Sequence, residues 1–120
     1  MKNIAPEIFR KRLLVEGFYT ITASKEKVSE YLISLAKHLD LRIYGDPIVF
    51  SPASGMGKDE NSGYDAFVPL IDSGISAYVW SKAKFLSIVL YTCKGFDSER
   101  AVSFTKDFWK IEAEIVTQEF

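Results

Sequence analysis

The run Ala66-Phe-Val-Pro-Leu-Ile71, Asp72-Ser-Gly74, Ile75-Ser-Ala-Tyr-Val-Trp80, Ser81-Lys-Ala-Lys84, Phe85-Leu-Ser-Ile-Val-Leu-Tyr-Thr92 decides the fold of this chain. Three apolar segments rich in β-branched and aromatic residues are separated by two short turn-forming pieces, Asp72 to Gly74 and Ser81 to Lys84. That pattern predicts three strands in an antiparallel meander. Phe85 to Tyr91 is apolar on both faces of its strand, so the reading expects both sides of the sheet to be covered.

Upstream, Leu13 to Ile21 is rich in strand formers and reads as a first strand, with Gly17 marking a bulge or a close approach. Val28, Tyr31, Leu32, Leu35, Ala36 and Leu39 recur at helical spacing after the candidate caps Thr22 and Ser24, which predicts an amphipathic helix ending near Asp40. Leu41 to Phe50 reads as a second strand broken near Gly45 to Pro47, and Ser51 to Gly63 as a loop. Downstream, Ala101, Phe104, Thr105, Phe108 and Trp109 follow an Asp97/Ser98 cap at helical spacing, and Ile111 to Val116 is read as a last strand. The order is β-α-β-β-β-β-α-β. Two helices beside a mostly antiparallel sheet make an α+β two-layer sandwich with both helices on one face. A single domain over 1–120 has nothing left to cover the other face, so a second subunit, and hence a homo-oligomer, is expected.

Composition narrows the function. Of 120 residues 48% are hydrophobic, which suits one core. A formal net charge of -1 supplies no positive field for nucleic acid. Cys93 is the only cysteine and His38 the only histidine, which leaves little for a disulfide, a metal centre or an imidazole-based triad. His38, late on its helix, suits the helix dipole and has no catalytic part. No apolar stretch is long enough to span a membrane, and Met1 to Glu16 is too charged for a signal peptide. These features lead to the expectation of a cytoplasmic protein. Ser54-Gly-Met-Gly-Lys58 lacks the spacing and following helix of a phosphate loop and reads as a plain loop, able to close over a ligand.

The segment Gly63-Tyr-Asp-Ala-Phe-Val-Pro-Leu-Ile-Asp-Ser-Gly-Ile-Ser-Ala-Tyr-Val-Trp80, continuing to Leu90-Tyr-Thr-Cys-Lys-Gly95, resembles the central region of the bacterial and archaeal S-adenosylmethionine decarboxylases. That family runs through a Gly-x-Ser-Gly turn, Glu-Ser-His, His-Thr-Trp-Pro-Glu and a closing Thr-Cys-Gly. Arg12-Leu-Leu-Val-Glu-Gly-Phe-Tyr19 resembles its first strand, and residues 54–62 look like an insertion. The resemblance implies that Ser73 occupies the position whose hydroxyl breaks the preceding peptide bond and becomes a pyruvoyl group, the electron sink for decarboxylation. It implies that Cys93 matches the residue returning a proton to the substrate carbon. Asp72 stands where the family has Glu, and Glu16 where its first strand carries an acidic residue near the substrate.

The departures redirect the chemistry. Gly74 replaces the histidine after the serine, Tyr78 replaces the histidine that drives cleavage, Asp65 replaces an assisting serine, and Ser81-Lys82 replaces Pro-Glu after Trp80. Cleavage needs a base, and a phenol with a reference pKa of about 10 is a poor one beside imidazole. The expectation is an uncleaved chain with no pyruvoyl group. Asp65, Asp72, Tyr78 and Glu16 are read as a polar lining on one side of the sheet, facing the sulfonium of S-adenosylmethionine or a derivative, with Trp80 beside it. The leading function is therefore a lyase acting on that small molecule. Two alternatives stand beside it: a self-processed pyruvoyl decarboxylase of S-adenosylmethionine or a basic amino acid, and a non-catalytic binding homologue. Taken without the resemblance, Asp72 to Gly74 is equally a plain turn, Cys93 a small buried apolar residue, and Trp80, Phe104, Phe108 and Trp109 core or interface.

Overall fold

The computed structural model describes residues 1–51 and 62–120, so the run 54–58 lies outside the described residues. In chain order the elements are β1 Lys11–Phe18, α1 Lys25–His38, β2 Ile48–Phe50, β3 Gly63–Leu70, β4 Ser73–Trp80, β5 Phe85–Thr92, α2 Ser98–Trp109 and β6 Ile115–Glu119. The strands form one sheet in the order β2-β3-β4-β5-β1-β6, with every pairing antiparallel. This is the expected α+β architecture, a six-stranded antiparallel sheet with two helices against it.

Alternation along the strands sorts the side chains. Leu13 and Val15, Ala66, Val68 and Leu70, Ile75, Ala77 and Val79, and Leu86, Ile88 and Leu90 are buried on the helix side. They meet Val28, Tyr31, Leu32, Leu35 and Ala36 of α1 and Ala101, Thr105 and Trp109 of α2. The two helices are joined by a buried hydrogen bond between the hydroxyls of Tyr31 and Thr105 at 2.7 Å, and Trp109 packs against Tyr19 and Tyr31. Ser24 caps α1 by accepting from the Lys27 amide, while the Asp97 carboxylate caps α2 from Glu99 and Arg100. His38 closes the last turn of α1 and stacks on Phe104.

Four expectations need correction. The first strand runs from Lys11 to Phe18, because Tyr19 turns inward to donate its hydroxyl to the Trp80 carbonyl, 2.7 Å away. Of Leu41 to Phe50 only Ile48–Phe50 forms a strand; Ile43 makes a single bridge to Leu70 before Gly45 to Pro47 interrupts pairing. The turn after β3 is not Asp72 to Gly74 but the two residues Ile71 and Asp72, since Leu70 already faces Ser73. Ile111 is not in the last strand: with Lys110 left-handed at φ 53, its amide closes on the Lys106 carbonyl and its side chain is buried, so β6 begins at Ile115.

Candidate functional site

On the face away from the helices, cross-strand register builds one row. Asp65 lies opposite Tyr78, Tyr78 opposite Ser87, and Ser87 opposite Glu16. Facing pairs in a sheet share a side, so all four project from the open face, a row of about 14 Å at roughly 4.8 Å per strand. The Ser87 hydroxyl donates to Oε2 of Glu16 at 2.7 Å, which holds that carboxylate over the sheet. Aromatic rings flank the row. On one side Trp80, Phe85 and Phe18 form a chain with ring centres 5.4 and 5.1 Å apart. On the other, Phe67 lies across Gly74, where an added Cβ would come within 2.4 Å of the ring. A cavity of about 220 Å³ opens at the β2 end of the row, between Asp65, Tyr78, Phe67 and Phe50. Carboxylates among aromatic faces are suited to a cation with an apolar body.

Ser73 and Cys93 meet elsewhere. The Ser73 hydroxyl accepts from the Cys93 amide at 2.9 Å, at the end of the sheet where β4 starts and β5 has just finished. Asp72 precedes them in the left-handed region, φ 57, which its short side chain tolerates. These three line a niche of about 250 Å³ together with Arg42 and Lys94. The free thiol of Cys93 is exposed, so it is not a buried apolar filler.

The two groups are separate. Ser73 and Tyr78 stand five residues apart on one strand, about 17 Å at roughly 3.3 Å per residue, and an odd separation sends their side chains to opposite faces. The structure thus brings together Asp65, Tyr78 and Glu16 in one row and Asp72, Ser73 and Cys93 in one niche. Asp72 does not join the lining expected of it. Trp80 stands beside the row, with its carbonyl held by Tyr19. Ser87, Phe67 and Phe50 were missed by the sequence reading; the signal for Ser87 was its place as the only polar residue between Phe85 and Tyr91. Arg42 and Lys94 carried no sequence signal, since 52 residues separate them. Among the described residues no set of three His, Cys, Asp or Glu gathers as a metal site, and no described helix is long and apolar enough to cross a membrane.

The described fold and its open-faced row define an α+β two-layer sandwich with a decorated antiparallel sheet. Among solved structures it is similar to the adenosylmethionine decarboxylase from Aquifex aeolicus VF5, with a TM-score of 0.70 and 19% identity over 94% of this chain and 89% of that one. At that identity the likeness establishes the shared fold. No family model matches the sequence, and no curated protein matches it.

Proposed function

We propose that the protein is an enzyme of the lyase type that binds S-adenosylmethionine or a close derivative on the open sheet face and breaks it down without a pyruvoyl group. The observation that carries this reading is the row Asp65, Tyr78, Ser87, Glu16 between the ring chain Trp80, Phe85, Phe18 and the ring of Phe67. A sulfonium held there lies between carboxylates and ring faces. In the simplest reaction the substrate's own carboxylate attacks its γ-carbon, the bond from that carbon to sulfur breaks, and its electron pair returns to sulfur. Methylthioadenosine and a lactone leave, and no outside nucleophile is needed. The enzyme's part is to hold the folded substrate and exclude water.

A second copy supplies the exclusion. The open face offers roughly 600 Å² per copy at ordinary strand spacing and rise, close to the ~800 Å² per partner of a standard interface. It carries exposed Phe18, Phe50, Phe67 and Tyr91. Homo-oligomer formation in a cytoplasmic setting belongs to the same reading.

The alternative, a self-processed decarboxylase, is favoured by the contact between Ser73 and Cys93. Against it, the groups that would have to assist cleavage, Asp65 and Tyr78, project from the other face. Incubation with S-adenosylmethionine followed by product analysis separates the readings. Methylthioadenosine is expected; carbon dioxide would favour the decarboxylase, and no product would favour a non-catalytic binding homologue. Asp65→Asn should weaken binding of S-adenosylmethionine by at least tenfold, read as a raised KM, because it removes a charge beside the sulfonium of the bound substrate. The intact mass should be that of the uncut chain; two fragments divided between Asp72 and Ser73 would overturn the pyruvoyl-free reading.

A further inference from the structure

The two edges of the sheet are guarded unequally. β2, at one end, is three residues long and too short to template another strand. β6, at the other, runs over Ile115-Val-Thr-Gln-Glu119 without proline, glycine or lysine, and its one acid lies 3.8 Å from Lys11. Register fixes which of its backbone groups are spent. The Phe120 amide donates to the Arg12 carbonyl, so Phe120, Gln118 and Val116 turn their amides and carbonyls towards β1. Those of Ile115, Thr117 and Glu119 point out of the sheet, and among the described residues no strand takes them.

A groove of about 480 Å³ runs beside this edge, between β6 and α2, with half-buried Val102 and Ile115 in its walls. Its ends differ in charge. Lys11 links Glu119 to the Phe96 carbonyl just before α2, while the Ile111 amide closes on the Lys106 carbonyl and the side chains of Ile111 and Ile115 both lie against Gly17. α2 therefore runs back along β6, with Glu99 and Glu119 at one end of the groove and Lys106 beside Ile115 at the other.

We infer that β6 is a docking edge for β6 of a second copy, the two strands pairing antiparallel about a two-fold axis at Thr117. This centre sets Ile115 against Glu119 and Thr117 against Thr117, so every outward amide and carbonyl of both strands is met, whereas a centre at Val116 or Gln118 leaves Glu119 or Ile115 unmatched. No carboxylate faces another. Glu119 stands across from Ile115 and next to Lys106 of the second copy, and Glu114 stands across from Phe120, so each end of one groove meets the end of opposite charge. The product is one continuous sheet of twelve strands, six from each copy. Five strand residues and one helix face bury less than the ~1,200 Å² of a standard interface, so the pairing is reversible and set by concentration. It uses the edge of the sheet and not the open face, and it stands whether or not the lyase reading does.

The test uses the full chain carrying Val89→Asp, which removes the open face as a contact and leaves the edge. At about 100 μM, suited to an interface of this size, sedimentation should give a dimer. Adding Thr117→Lys, which sets two ammonium groups face to face at the axis, should give a monomer with an unchanged circular dichroism spectrum. Hydrogen exchange reads the ladder itself: the Thr117 and Glu119 amides should slow by about tenfold between dilute and concentrated protein, while the Gln118 amide, already bonded to β1, should not change. Lys106→Glu or Glu119→Lys alone should weaken the dimer and the two together restore it, a rescue that contacts within one copy cannot supply, since these residues lie at opposite ends of its groove. A monomer at this concentration, a dimer indifferent to Thr117→Lys, or a Thr117 amide whose exchange ignores concentration would overturn the inference. Should Val89→Asp fail to fold, the exchange measurement on the wild type decides alone.

Discussion

At the scale of single residues, two glycines are required for different reasons, and the difference is measurable. A Cβ at Gly63 would stand 1.7 Å from the Val79 carbonyl oxygen, a backbone atom in the paired strand that has nowhere to go. A Cβ at Gly74 meets only the far end of the Phe67 side chain, which is 41% exposed and free to swing. Gly63→Ala should therefore cost about 3 kcal/mol or prevent folding, whereas Gly74→Ala should cost about 1 kcal/mol or less, read from denaturant midpoints at unchanged slope. Equal costs would show that the strands spread rather than the ring moving. The same contact gives a structural reason for glycine after Ser73: Phe67 occupies the space that a side chain at 74 would need.

At the scale of elements, Tyr19 joins the end of β1 to the end of β4 through its hydroxyl, and burial, reinforced by the charge of Tyr64, pushes its phenol up to about 12. Burial also raises the Tyr31 phenol between the two helices, partly offset by its bond to Thr105. A phenol with a raised folded-state pKa lets the unfolded chain lose its proton first. Its contribution is therefore intact below pH 10 and declines as pH climbs towards 12. Tyr19→Phe should flatten that part of a melting temperature against pH curve, and an unchanged slope would refute the role. Both helices were legible because tertiary packing agreed with their period: Val28, Tyr31, Leu32, Leu35 and Ala36 are the buried residues of α1. The last strand was misread because β6 is largely exposed and carries no alternation, while Ile111 resembles a strand residue but belongs to the core. Asp65, Tyr78 and Glu16 of the candidate row were named from the sequence, but their register was not. A three-residue turn at Asp72 to Gly74 would have set Asp65 against Ser81; the actual two-residue turn sets it against Tyr78. Nothing local in the sequence distinguishes those registers.

At the scale of the whole molecule, the proposed pairing of two copies through the open face can be tested at one residue. Val89 lies on it at the centre of the sheet, opposite Ser76 on one side and Leu14 on the other. Val89→Asp should shift the mass in solution towards monomer while leaving the helix-side core intact, as followed by sedimentation and circular dichroism. A wild type that is strictly monomeric at micromolar concentration would count against the second copy. The strand order has another consequence. β1 is the first strand made, yet both its neighbours come late, with Lys11 facing Thr92 and Leu13 facing Glu119. During synthesis on the ribosome β1 therefore waits, both edges bare, until β5 has been made, while β3, β4 and β5 form hairpins as they emerge. Nascent chains stalled before Thr92 should present β1 to chaperones or proteases, and protection should appear abruptly once β5 and then β6 have left the exit tunnel.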